Sequence, residues 1–483
     1  MKASILSLVA LVGFTASTQA ADLSDNLKAP PPPPPPPDTL TWKGITLFGQ
    51  MDIGYGYNSI GTPLGGSWFG LNTNVLAAPA GTRPISSLNI AGYGFNFIGL
   101  KLEEPIFGDW KVIGQLDTGF NPLTGRLDDA CATIIQNNGR PGNQQSIWAN
   151  SARCGQAING QLFAGVRNAT YGTLTIGRQS PLDFTTMVGY DPMTFSTFSQ
   201  IGWSSGWGGA AGVADANKWN ESVKYAIGYG PIHGAVMYAQ GDQDSGLHGN
   251  SYAANIGGNW NGFYVDAVYT ALRNAVSTFA YGVGGCGVAG APSCNTLGGT
   301  AQNTEAFALM GKYTLNLADA FKGAGLGGKL TFYTGYQHED FSNPSTPVSV
   351  GDTVNGGYVI GLISNTSYTY GDKIRNIGWI GAKYETGPWT VAAAWYYGQQ
   401  DFYKGSSPTL MPCSDTSSSH CAGHWQTAST VVDYAFNKYF DVYAGLVWSE
   451  LRGGLAVGFT TATAGYPTTP QTTSFLTGMR FTW

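Results

Sequence analysis

The stretch “SFLTGMRFTW”, Ser474 to Trp483, alternates along its length. Phe475, Met479, Phe481 and Trp483 fall on one parity, and Ser474, Gly478, Arg480 and Thr482 on the other. Alternation at a period of two marks a strand with one apolar and one polar face. The apolar face is aromatic and runs to the last residue. In an open soluble sheet such a strand is an adhesive edge. In a closed barrel the last strand pairs with the first, and an aromatic end suits a membrane–water interface.

The same pattern recurs upstream. “ITLFGQMDIGY” sets Ile45, Leu47, Met51, Ile53 and Tyr55 against Thr46, Gln50 and Asp52. “FYVDAVYTA” sets Phe263, Val265, Ala267 and Tyr269 against Tyr264, Asp266 and Thr270. “WTVAAAWYYGQQ” and “YFDVYAGLVWSE” repeat it at Trp389 and Phe440. Sixteen such segments centre near Met51, Ile98, Gln115, Gly165, Thr175, Lys224, Val236, Ala254, Ala267, Leu309, Tyr333, Trp379, Ala394, Val431, Gly445 and Met479.

Long and short connections alternate between them. “NATYG”, “NWNG”, “ETGPW” and “FNKYF” are tight turns. The link at 241–250 is a short member of the long class, and “LADAFKGAGLGG” is a long member of the short class. The reading is an all-β protein: a 16-stranded antiparallel transmembrane β-barrel with short periplasmic turns and long outer loops. Closure is what satisfies the backbone of strands in lipid.

Composition agrees. Charged residues are 11% of the 483, far below the roughly 25% of soluble domains, while aromatics are 13% and glycines number 69. A net charge of −5 with no basic run gives no basis for a nucleic-acid partner. The start “MKASILSLVALVGFTASTQA” reads as a signal peptide over 1–20, cleaved after Ala20. Its apolar run is too short for a transmembrane helix. Residues 21–43 hold eight consecutive prolines, Pro30 to Pro37, a stiff polyproline II spacer on the periplasmic side and a candidate contact with the cell wall. The barrel domain then occupies 44–483.

Six cysteines, Cys131, Cys154, Cys286, Cys294, Cys413 and Cys421, fall in three close pairs within outer loops. Fifteen connectivities are open, and pairing of sequence neighbours is the simplest. His420 and His424 lie in a loop without a helix signal, so no metal site, cofactor or activated nucleophile is expected and the chain is read as no enzyme.

“FAGVRNATYGTLTIGRQ” (Phe163–Gln179) and “NKWNESVKYAIGYGPIHGAVMYAQG” (Asn217–Gly241) resemble the general bacterial porins, as do “ITLFGQMDIGY” and the aromatic C-terminus. The resemblance covers Gly44–Trp483. It implies a trimeric outer-membrane channel for passive diffusion of small hydrophilic solutes and ions, with the third long loop folded into the barrel. The alternatives are a carbohydrate-type, saturable porin and a barrel enzyme.

In that family, acids on the third loop face bases on the wall. Here the loop, Ser180–Asn217, carries Asp183, Asp191 and Asp215. The wall offers Arg167, Arg178, Lys218 and Lys224. Arg178 shares parity with Leu174 and Ile176 and is placed by the motif, not by alternation. The position where the family often carries Arg is Phe97. Acids at the narrowest point give an expected weak preference for cations.

Overall fold

The computed structural model describes residues 40–59, 84–90, 92–123, 125–127, 157–201, 218–240, 250–279, 298–322, 327–343, 353–354, 358–359, 362–365, 368–405, 422–453 and 471–483. Sixteen staves close into one antiparallel barrel. They begin with β1 (Ile45–Asn58), β2 (in two pieces, Ile85–Ile90 and Phe97–Phe107), β3 (Trp110–Asn121), β4 (Leu162–Asn168) and β5 (Gly172–Gln179). Next come β6 (Trp219–Tyr229), β7 (Ile232–Ala239), β8 (Ser251–Trp260), β9 (Phe263–Phe279), β10 (Gly298–Asn316) and β11 (Lys329–Ser342). The last are β12 (Lys373–Thr386), β13 (Trp389–Gln400), β14 (Gly423–Asn437), β15 (Phe440–Gly453) and β16 (Gln471–Thr482).

Each stave pairs with its neighbours in sequence, and β16 pairs with β1 from Gln50↔Thr482 to Asn58↔Ser474. That ring leaves no open edge. All sixteen segments read from the sequence fall inside these staves. Alternation decides which side faces out. On β16, Phe475, Met479 and Phe481 are exposed on the outer surface, while Ser474 and Arg480 are buried inside. On β9, Phe263, Val265 and Tyr269 face out, and Asp266 and Thr270 are buried.

The short-turn end carries a ring of exposed aromatics: Trp42, Phe107, Tyr171, Tyr229, Trp260 and Phe436 among them. Several stack, as Trp110 does on Tyr171 with centroids 6.0 Å apart. Rings with an apolar body and a polar edge or hydroxyl favour the interface between lipid and water. The link between β10 and β11 holds a short helix, Leu317–Ala320, whose N-cap Asn316 side chain accepts from the Ala318 N–H.

Two features organise the interior. β2 is interrupted, and residues 92–96 turn away from the stave; Tyr93 is 2% exposed. The described part of the third loop, 180–201, lies inside the barrel. Its helix α1 (Leu182–Met187), the turn of 3₁₀ helix at Val188–Tyr190, and the chain to Ile201 are almost wholly buried. The apolar core is therefore inside the barrel. It joins Met187, Met193, Phe195, Phe198 and Ile201 of the loop to Tyr93, Trp379, Tyr396, Trp425 and Tyr443 of the wall.

Candidate pore and constriction

The third loop follows one side of the lumen and is bonded to it at intervals. Near its start, Lys224 of β6 donates to the Ser180 carbonyl at 3.3 Å. Asn255 of β8 donates to Thr186 Oγ1 at 3.3 Å. Lys312 of β10 donates to the Gly189 carbonyl at 2.8 Å. The Tyr190 hydroxyl donates to Asp266 of β9 at 2.5 Å, and His233 of β7 meets the other oxygen of that carboxylate at 2.9 Å. Trp379 of β12 donates to the Tyr190 carbonyl at 2.9 Å. Further on, Thr427 of β14 donates to Gln200 Oε1 at 2.8 Å.

The loop approaches the wall closely where the wall lacks side chains. A Cβ on Gly381 would stand 2.5 Å from Pro192, and one on Gly445 would stand 2.4 Å from the Phe198 ring. These contacts place the described part of the loop along β6–β15.

Its far end docks on the interrupted stave. Thr197 N–H donates to the Gly92 carbonyl at 3.1 Å. Phe198 packs edge-on against Tyr93 (5.9 Å) and Tyr443 (6.3 Å). Under this contact is a buried polar cluster at the seam where first and last staves meet. Asp52 accepts from Tyr93 N–H (2.8 Å), Gly94 N–H (2.7 Å) and the Tyr443 hydroxyl (2.6 Å). Arg480 donates to the Tyr93 carbonyl (3.2 Å) and pairs with Asp441 (3.1 Å) and Asp433 (3.4 Å). Arg480 and Asp433 are fully buried. This cluster fixes the inward turn of β2, and the turn seats the loop.

Asp183 and Asp191, the described acids of the loop, do not face open lumen. Asp191 is 1% exposed. Its carboxylate accepts from Met193 N–H (3.2 Å), Phe195 N–H (2.7 Å) and the Tyr396 hydroxyl of β13 (2.5 Å). The turn it caps holds Thr194 and Phe195 at φ of 52° and 55°. Left-handed φ is costly for residues with a side chain, so the bonds that hold this turn matter. Asp191 supplies two of them and pins the turn to the wall. Burial raises its pKa above the ordinary carboxylate range.

Asp183 is 2% exposed and accepts from the Phe184 N–H at 2.7 Å. Burial pushes its pKa up to about 7, against the lowering effect of that N–H, and the Glu339 charge adds to the rise. In the described loop Phe184, Thr185 and Thr194 are half-exposed and Gly189 is exposed, none of them charged. Asp215 lies outside the described residues, as do Cys131, Cys154, Cys286, Cys294, Cys413 and Cys421.

The bases are spread along the wall of β2–β6, two of them, Lys218 and Lys224, against the loop itself. Pairing across β3, β4, β5 and β6 puts Lys111 opposite Arg167, and Thr175 opposite Lys224, all on the inner face. Arg167 meets Glu103 at 3.4 Å, and the same carboxylate meets Lys111 at 2.5 Å. Lys101 is half-exposed on β2. Lys218 sits 5.4 Å over the Phe184 ring. Arg178 is buried and donates to the Asn159 (2.8 Å) and Gly160 (2.9 Å) carbonyls, so it ties β5 to the chain that enters β4. The geometry thus brings Lys218 to the loop and keeps Arg178 with backbone oxygens.

Sequence reasoning passed over Tyr93, Asp52 and Arg480 as a unit. The signal was present in “GYGFN”, where two glycines interrupt an alternating segment.

A family profile described as Gram-negative porin matches residues 7–454. The chain belongs to the Gram-negative porin family. It is an outer-membrane channel protein, and a porin of this fold works without covalent chemistry. Among solved structures, the anion-selective porin from Comamonas acidovorans is 13% identical, with a TM-score of 0.53 over 91% of this chain and 99% of that one. Outer-membrane expressed OmpT of Vibrio cholerae is 12% identical, with a TM-score of 0.52 over 92% of this porin and all of the other. At these identities the likeness concerns the fold. No curated protein matches the sequence.

Proposed function

We propose that this porin passes small hydrophilic solutes by passive diffusion and favours anions. One observation carries the reading: Asp183 and Asp191 are taken up in loop-to-wall packing, while the wall of β2–β4 presents half-exposed Lys101, Lys111 and Arg167. On the inner face of β2–β4, Lys101, Lys111 and Arg167 stand against Glu103 and Asp117, and Lys218 and Lys224 add two cations where the loop meets the wall. A charge acts on a permeating ion within about a Debye length, ~8 Å at physiological salt, so exposed wall charges count for more than buried, bonded ones. This reverses the cation preference expected from the loop acids alone.

A stacking track for sugars on the loop has less support. Phe195 and Phe198 are buried, and Phe184 is half-exposed beneath Lys218. We include in the proposal a homotrimer in outer-membrane lipid, export through a signal peptide ending at Ala20, and a periplasmic Pro30–Pro37 spacer near the cell wall. The apolar outer surface and the family resemblance support the trimer. Zero-current potentials in a KCl gradient across a planar bilayer test the ion preference. A cation-selective wild type would overturn it.

A further inference from the structure

Phe97 is half-exposed on the lumen face of β2, and the wall around it is shaped. Phe48 of β1 and Phe97 of β2 both lie on inward-facing positions; in the pairing of the two staves Phe97 is opposite Gln50, Phe48 opposite Gly99 and Lys101 opposite Thr46. Their rings are 5.6 Å apart and inclined at 58°. Both are half-exposed, and so is Lys101. The residue between Phe97 and Lys101 on the inner face is Gly99. A Cβ there would meet Phe48 Cε1 at 2.7 Å and Asp117 Cβ at 2.8 Å. A side chain at 99 would collide with the Phe48 ring, so the glycine leaves that ring its place. The Lys101 ammonium sits 4.4 Å from the centroid of that ring.

Two aromatic faces with a cation at one end are an uncommon surface for a water-filled lumen. Nothing in barrel closure calls for them, since inward positions of neighbouring staves carry Thr46, Gln50 and Gln115. Asp117, on the far side of Gly99, accepts from Gln161 N–H (3.0 Å) and Gln115 Nε2 (2.7 Å). Lys101 is the charge that meets the rings.

The geometry points to a binding site in the pore for an aromatic carboxylate, its ring on Phe48 and Phe97 and its carboxylate at Lys101. Ring-on-ring contact adds to area burial, and an ammonium attracts the anionic end. A site of this kind captures aromatic acids from dilute solution and gives saturable passage on top of general diffusion. It rests on β1 and β2 facing the open lumen and does not require the ion preference proposed above.

The test is titration of the single-channel KCl current with benzoate, acetate and benzylammonium, all at one ionic strength. Benzoate is expected to reduce the current saturably, with acetate and benzylammonium binding at least roughly tenfold more weakly, the worth of one aromatic or charged contact. Phe97→Leu and Phe48→Leu should each weaken benzoate by about tenfold or less while the barrel still shifts on unboiled gels. Lys101→Gln should weaken it, and Lys101→Arg should restore it. Equal effects of benzoate and acetate, or tighter binding of benzylammonium, would overturn the site, as would phenylalanine variants with unchanged benzoate affinity. A wild type that is cation-selective in KCl yet binds benzoate through Phe48 and Phe97 would overturn the ion preference and support this site.

Discussion

Phe198→Ala isolates the docking of the third loop from the stability of the barrel. The ring is completely buried, wedged between Tyr93 and Tyr443 and over Gly445. Truncating a buried Phe to Ala costs about 3–5 kcal/mol where the site cannot collapse. Here the walls are barrel strands, which collapse little, so the upper part of the range applies. The loss falls on the docked state of the loop, because the staves keep all their ladder bonds. About 4 kcal/mol changes the docked-to-undocked ratio by roughly a thousandfold.

Gly445→Ala attacks the same contact from the wall, placing a Cβ 2.4 Å from the ring and 2.6 Å from the Thr430 carbonyl. Overpacking of this kind costs about 1–3 kcal/mol. In the double variant the ring is gone, so part of that cost disappears, a coupling on the order of 1 kcal/mol. Hydrogen exchange at Thr197, whose N–H reaches Gly92, and open-channel current noise report the loop. Gel mobility of unboiled protein reports the barrel. Both single variants should speed exchange and raise noise while the barrel persists to near its usual temperature. Unchanged exchange at Thr197 in Phe198→Ala would refute the argument that the Tyr93–Tyr443 clamp holds the loop.

Two other outcomes follow from buried charge. Asp183 has its pKa raised to about 7 by burial, so the folded state holds a proton that the released loop gives up above the ordinary carboxylate value near 4. Loop docking is therefore strongest at low pH and weakens as pH rises toward 7; Asp183→Asn should flatten the pH dependence of current noise and quieten the channel above pH 7. Arg480→Met leaves Asp433 and Asp441 buried without their cation, and breaking such a pair costs about 3–5 kcal/mol. The temperature at which unboiled protein loses its folded gel band should fall, and a band as heat-resistant as wild type would count against the seam cluster.

The barrel was legible because alternation is a local property. Phe475, Met479 and Phe481 declare the outer face of β16 regardless of what the rest of the chain does, and the aromatic turns declare the interface. The helix at Leu317–Ala320 explains why “LADAFKGAGLGG” is long for a short turn. The site was less legible, because parity tells that a residue faces inward and not what covers it. Asp191 and Lys101 both belong to the lumen by sequence. One caps a strained turn against Tyr396, and the other is half-exposed beside Phe48. Asp52 sits on the polar parity of β1, yet its carboxylate is consumed by Tyr93, Gly94 and Tyr443, contacts between staves far apart in sequence. Arg178 broke parity, and its bonds to the Asn159 and Gly160 carbonyls supply the reason.

The most direct test of the central claim, that exposed wall cations and not buried loop acids set the ion preference, is the zero-current potential of Lys101→Gln/Arg167→Gln beside wild type. In a roughly tenfold KCl gradient ideal selectivity gives about 59 mV. Wild type should show the sign of chloride preference, and the double variant should move well toward zero or past it. A potassium-selective wild type, or a double variant with the wild-type potential, would contradict the account.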